Sequence, residues 1–291
     1  MGICRAADLI KLYVRHFENL AREMPIMSFR NTVSKPLFVL LVFALWIEPK
    51  ALLSEQIPVR YTEGLTHGFL ALRTLDGKLL ATGELAQAAQ GDRVRDDLIF
   101  HFNDGSIYQD TTTFSQRGSF RLLSDHVVLR GPTFKHPMET SVDASTGQVT
   151  VRYTDDKGKT EVLSQRIGLP PDVANGLMLT LMKDIQPSTP QTTVSMVAAM
   201  PKPRLVKLVI VPQGEEPLSH GTIKHKAMHY VVKVEIGGVT GLLAKLAGKK
   251  PPDTHVWVLA GDAPAFVKME GPLYSDGPIW RIELATPAAF P

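Results

Sequence analysis

Histidine is the residue type through which this sequence offers most chemistry. His220, His225 and His229 fall close together, and clustered imidazoles can hold zinc or another transition metal. Their local pattern argues against it. His225 and His229 are four apart, a spacing that converges only on a helix. Met228–Ile236 instead alternates like a strand, with Tyr230, Val232, Val234 and Ile236 on an apolar face and His229 sharing the other with Lys233 and Glu235. The expectation is histidines that face solvent or form hydrogen bonds, with no metal and no cofactor.

Asp253 and His255 alternate onto the side of a strand that also carries Trp257, as a base and its orienting carboxylate would. No nucleophile is placed beside them, and catalysis needs the whole constellation. Ser124, Asp125 and His126 are consecutive, the wrong geometry for a triad that converges from separate segments, and they read as turn residues. No G-x-S-x-G elbow, H-E-x-x-H pair, phosphate-cradling glycine loop or dinucleotide fingerprint occurs.

Two apolar groups complete the candidates. Trp257, Phe266 and Trp280 belong to the last three expected strands. Aromatics on strands are ordinarily core, the alternative being the wall of a ligand groove in a sheet curved into an open barrel. In Gly238–Lys250, Leu242, Leu243 and Leu246 make a short stripe bounded by glycines and two lysines. This is either a small helix capping the open end of a sheet or an apolar lid, since loops carry function disproportionately. These six residues are the candidate ligand-binding set.

The elements that must position them are strands. Asp76-Gly77 separates Phe69–Leu75 from Lys78–Leu85, and Asp104-Gly105 separates Val94–Phe102 from Ser106–Phe114, each the pattern of a tight hairpin. Ser145-Thr146-Gly147 does the same between Met138–Asp143 and Gln148–Tyr153. Phe120–Leu129, Thr192–Ala199, Leu205–Val211, Tyr230–Ile236, Thr254–Leu259, Ala265–Glu270 and Ile279–Leu284 are further strands. Strands in succession joined by tight turns make an antiparallel meander. One helix is expected over Pro171–Ile185, where Val173, Leu177, Leu181 and Ile185 share a face and prolines flank both ends. The predicted fold is mainly β: a large curved antiparallel sheet, half-barrel or open barrel, with one packed helix and a short capping helix.

With 44% hydrophobic and 21% charged residues the chain belongs among globular proteins. Its formal charge of +3 lies entirely in residues 1–50, leaving 51–291 neutral. A nucleic-acid partner, which demands a basic face, is therefore not expected. Cys4 is the one cysteine, so no internal disulfide forms.

Leu37–Ile47 is 11 residues without a charge, behind Arg30 and Lys35. A spanning helix needs about 20 apolar residues, whereas a secretory h-region needs about 7 to 15, so 27–54 reads as a signal peptide or an N-terminal anchor. Leu52-Leu53-Ser54 is the best cleavage candidate; an uncleaved segment would leave membrane contact. Residues 1–26 carry Leu9, Ile10, Tyr13, Val14, Phe17 and Leu20 at helical spacing among basic side chains. They are expected to be either a basic amphipathic helix on a membrane surface or a gene-model extension upstream of Met27. The latter is favoured because an h-region should lie near the start. Residues 55–291 then form one antiparallel β domain, exported to the periplasm or cell envelope.

The C-terminal residues His255–Leu259, Ala263–Lys268, Glu270–Tyr274 and Gly277–Leu284, with Trp257 in a late strand and a proline-bounded hairpin after it, resemble those of uncharacterised exported bacterial proteins. The sheets of that group are similar to the half-barrel of periplasmic lipoprotein carriers. The resemblance covers residues 229–284, implies a half-barrel, and brings no catalytic residues with it. The expected function is non-catalytic binding or carriage of an apolar or lipid-like ligand. The alternatives are an envelope hydrolase using His229 or His255, and a structural partner docking through strand edges.

Overall fold

The computed structural model describes residues 56–199, 202–220, 223–236 and 251–285. The segments expected to be a leader or anchor, and the Gly238–Lys250 element with Leu242, Leu243 and Leu246, lie outside the described residues. The strands belong to one compact unit, Leu53–Pro291.

Period-two alternation dominates that unit and yields fourteen strands: β1 (Thr66–Arg73), β2 (Leu79–Gln90), β3 (Arg93–Phe102), β4 (Ile107–Ser115), β5 (Arg121–Arg130), β6 (Met138–Asp143), β7 (Gln148–Thr154), β8 (Thr160–Arg166), β9 (Thr192–Ala198), β10 (Arg204–His220), β11 (Ile223–Glu235), β12 (Thr254–Leu259), β13 (Phe266–Pro272) and β14 (Ile279–Ala285). They form a single antiparallel sheet in the order β8-β7-β6-β5-β4-β3-β2-β1-β14-β13-β12-β11-β10-β9. Each half is a meander, and pairing of β1 with β14 joins the two, with Leu70 opposite Leu284. The expected hairpin glycines hold their turns in the left-handed region: Gly77 at φ 96°, Gly105 at 84° and Gly147 at 71°.

The sheet is not closed, and β8 and β9 are its edges. It is nevertheless curled around one helix, α1 (Met178–Asp184). This helix packs on β12 and β13, while its Thr180 hydroxyl reaches Asp96 of β3 at 3.4 Å. In a flat sheet with strands about 4.8 Å apart, β3 and β12 would lie roughly 24 Å from one another. A helix about 10–12 Å across spans that gap only if the two arms fold toward it. The core lies on this inner face and includes Leu70, Phe100, Phe114, Leu181, Ile210 and Tyr230.

Both ends of the interior are plugged. At one, Phe102, Phe134, Tyr274 and Trp280 form a ring of aromatic contacts with centroids 5.3–6.0 Å apart. At the other, residues 57–63 run as a strap across the β4–β5 turn. Phe120 N–H donates to Ile57 O and Val59 N–H to Gly118 O. The buried carboxamide of Gln116 clamps Glu63 twice, accepting from its N–H at 2.7 Å and donating to its carbonyl at 3.1 Å. The strap is tied to α1 as well, because Asp184 Oδ1 accepts from the N–H groups of Arg60 (2.6 Å) and Tyr61 (2.8 Å), and Lys183 pairs with Glu63.

Two expectations need correction, and one strand lies where none was expected. The helix covers only Met178–Asp184, not Pro171–Ile185, because Asp172–Ala174 instead covers the edge of β9. Ala174 N–H donates to Ser195 O at 2.8 Å and Ser195 N–H to Asp172 O at 3.3 Å. The Asn175 side chain continues that pairing on both backbone groups of Val197, and Gly176 then turns at φ 66°. Ser124, Asp125 and His126 are not turn residues but sit within β5; the turn lies upstream, where Gly118 has φ 73°. Finally, β8 is a strand that its residues did not announce. Thr160–Arg166 is largely exposed, and an edge strand lacks the apolar alternation that burial imposes.

Of the described glycines, Gly176 leaves the least room for a side chain. A Cβ there would run into the Thr112 hydroxyl and come within 2.9 Å of Asp125 Oδ1, in a backbone conformation that already disfavours side chains. Gly176→Ala should therefore destabilise the protein by at least about 2 kcal/mol in chemical denaturation; a loss within experimental error would mean that this turn does not pack on β4 and β5 in solution.

Candidate functional site

The face of β10–β14 that points away from the core carries a connected set of polar and aromatic side chains. Strand pairing creates it. His229 on β11 lies opposite Trp257 on β12, which lies opposite Lys268 on β13. One pleat along, His255 lies opposite Glu270, so all share one side. An irregularity at Pro212/Gly214 in β10 sets Glu216 diagonal to His229.

The result is a hydrogen-bonded chain. Glu216 Oε1 stands 2.8 Å from His229 Nδ1, and Glu216 Oε2 accepts from the Trp257 indole N–H at 2.7 Å. His229 Nε2 stands 2.9 Å from His255 Nδ1. A carboxylate on Nδ1 holds that nitrogen protonated and leaves the neutral ring's Nε2 as an acceptor. His255 then donates through Nδ1 and presents a lone pair on its own Nε2. The rings are layered: His229 stacks on Trp257 with centroids 4.4 Å apart and planes 3° from parallel, and Lys268 Nζ lies 3.7 Å from the Trp257 ring centre. Beyond Lys268 the polar row continues through Glu270, which Arg281 contacts at 2.9 Å, and through Glu283 with Arg73 at 2.8 Å.

Burial depresses the proton affinity of His229, whose side chain is 12% exposed. Glu216 opposes that shift, while His255 and Lys268 reinforce it. Glu216 is held below the usual carboxylate range, first by the Trp257 N–H and then by His229. Such a carboxylate–imidazole–imidazole chain can move a proton to or from His255 Nε2. Among the described residues no hydroxyl or thiol is hydrogen-bonded to either ring, and no cluster of three or more His, Cys, Asp or Glu side chains is arranged to hold a metal ion.

A second titratable group sits on the inner face. Thr112 Oγ1 lies 3.0 Å from Asp110 Oδ1 and 3.1 Å from Asp125 Oδ1. A hydroxyl has one proton, so it donates to one carboxylate, and the other carboxyl must donate to it. Asp125 is the protonated partner: burial first, and then the Asp110 charge, drive its proton affinity far up. Nearby Asp96 is pushed up to about 6, chiefly by burial. Gly176 closes over Thr112 and Asp125, so these side chains join the turn before α1 to the sheet.

The sequence candidates are thus regrouped. His229, His255 and Trp257 come together; Phe266 and Trp280 belong to the inner core, on the opposite side of the sheet from Trp257. Asp253 immediately precedes β12, and the Nδ1 of His255 is engaged by His229. The side chains of His220 and His225 lie outside the described set. Glu216, Lys268 and Glu270 were not singled out from sequence. The same-side alternation of β13 was the available signal for the last two, whereas Pro212, Gly214 and Pro217 obscured the strand that carries Glu216. No family model, curated protein or solved structure shows significant similarity to this chain.

In an NMR titration His229 should lose its proton below the ordinary 6.5. Glu216→Gln should move the midpoint further down and Lys268→Gln should move it up, since one charge favours the imidazolium and the other opposes it. A midpoint above 6.5, or one indifferent to both substitutions, would show that the chain is not formed in solution.

Proposed function

We propose that this protein is a non-catalytic binding protein of the cell envelope that holds an apolar or lipid-like ligand against the inner face of its open sheet. The observation that carries this reading is the state of the two arms nearest the opening. Met138, Tyr153 and Leu163 on β6–β8, and Met196 and Val234 on β9 and β11, face the core yet remain only partly buried. Those arms end in edges that do not pair with each other, so apolar surface is left where a ligand can add to the core. Open and closed antiparallel barrels commonly hold ligands in this way, and methionine suits such surfaces because its side chain adapts to irregular shapes. Trp257 faces the other side and has no part in this surface. The resemblance of residues 229–284 to exported half-barrel proteins supports the same reading, as does Leu37–Ile47 for export.

After removal of bound lipid, the protein should take up a fluorescent fatty acid. Leu163→Glu, at a partly buried position, should lower that affinity at least about tenfold, roughly 1.4 kcal/mol, while leaving the circular dichroism spectrum intact. A folded wild-type protein that takes up no apolar probe, and releases none on mass spectrometry of a native preparation, would remove the basis of the proposal.

Export has its own test. Residues 27–60 fused to a reporter active only outside the cytoplasm should give signal; a fusion retained in the cytoplasm would refute an envelope location.

A further inference from the structure

The end of the sheet spanned by the β2–β3, β4–β5 and β6–β7 turns holds an open cleft of about 560 Å³, within the size range of small-molecule sites. Its walls carry three guanidinium groups, Arg93, Arg117 and Arg121, with the hydroxyl-bearing Ser115, Ser119 and Ser145. The placement follows from strand register. Arg93 on β3 lies opposite Ser115 on β4, and Ser115 lies opposite Arg121 on β5. Two arginines therefore flank one serine, their backbones roughly 10 Å apart across two strand spacings, on side chains long enough to meet over it.

Arg93 and Arg121 differ in charge balance from the ion-paired arginines of the same sheet. Arg95, Arg73 and Arg281 each have a carboxylate within 2.9 Å. In the cleft the lining carboxylate is Asp92, and it is taken by Arg117 Nε at 3.0 Å, with Ser115 Oγ at 3.4 Å. The nearby Asp143 is engaged by its own turn, accepting from the Ser145 N–H and hydroxyl. Arg93 and Arg121 have no carboxylate partner among the described residues, which leaves two uncompensated positive charges in a concave polar site. Guanidinium forks match phosphate oxygens in bidentate pairs, and arginine is the usual residue where that geometry is read.

From this arrangement we infer that the cleft binds a phosphate group, with Arg93 and Arg121 as its two forks and Ser115 as the hydroxyl between them. The volume exceeds what one phosphate needs, so the group is borne by a larger molecule, either a soluble phosphorylated metabolite or an anionic phospholipid headgroup. Arg93, Ser115 and Arg121 lie on the face opposite Val94, Phe114 and Leu122 of the core, so the inference does not depend on the apolar-ligand reading.

Two measurements separate the sources: calorimetric titration of the full chain with pyrophosphate and with glycerol 3-phosphate, and co-sedimentation with phosphatidylglycerol vesicles against phosphatidylcholine controls. Binding of a soluble phosphate compound supports a metabolite site. Binding confined to phosphatidylglycerol vesicles supports a headgroup site. In either case Arg93→Gln and Arg121→Gln should each weaken binding at least about fivefold, and the binding should fall as salt rises. Arg95→Gln, which removes an arginine already paired with Asp97, should leave it unchanged. Arg93 and Arg121 are exposed, so thermal unfolding of the variants should match the wild type. No binding in any arm, or binding that survives both cleft substitutions, overturns the inference.

Discussion

A sheet of fourteen strands that curls on itself encloses an inner face that other elements must fill. Among the described residues one seven-residue helix, α1, serves as the interior for both arms at once, and that constraint organises the molecule. Helices this short are not stable alone, so α1 is held by what surrounds it. Asp184 fastens its end to the backbone of the strap, Thr180 touches β3, and the Tyr230 hydroxyl donates to Ile185 O at 3.2 Å. The curl of the sheet, the strap and the helix are one assembly, in which each element supplies the partner that another lacks.

The buried acids belong to that assembly. Carboxyl groups in an apolar interior are costly when charged, and their environment here favours the protonated form. A native proton affinity above that of the unfolded chain has a definite sign under linkage. For Asp96, stability is full below the unfolded value near 3.8 and falls as pH rises through the folded value of about 6. Carboxyls placed where they penalise neutral pH are tolerable when they provide directional contacts that apolar side chains cannot, and Asp110, Thr112 and Asp125 provide them beneath the Gly176 turn.

The architecture was legible because alternation and hairpin glycines are local signals. Asp76-Gly77 and Asp104-Gly105 mark their turns whatever lies elsewhere in the chain. What failed to show depended on distant partners. The helix was overextended because Val173 sits at helical spacing from Leu177, yet the edge of β9, present only in the fold, draws Asp172–Asn175 into extended pairing. β10 was cut short at Val211 because Pro212, Gly214 and Pro217 resemble a turn, and that concealed Glu216. The meeting of His229 with His255 was invisible for a related reason. Each was placed correctly on its own strand, but their contact is set by the register of β11 against β12, which neither segment encodes alone.

The pairing of β1 with β14 has a consequence for how the molecule is made. The Arg73–Glu283 contact in that pair joins residues 210 apart in sequence, so one of the earliest strands to leave the ribosome must wait for the last before its open edge is filled. Until then β1 offers unpaired backbone to any passing strand, and contacts of such long range slow the search for the native state. The first meander can form its hairpins from neighbours alone, but its inner face stays uncovered until the second half arrives. Synthesis therefore passes through a period in which half a sheet exists with neither its seam nor its core complete, the stage at which a nascent chain of this topology depends most on protection from self-association.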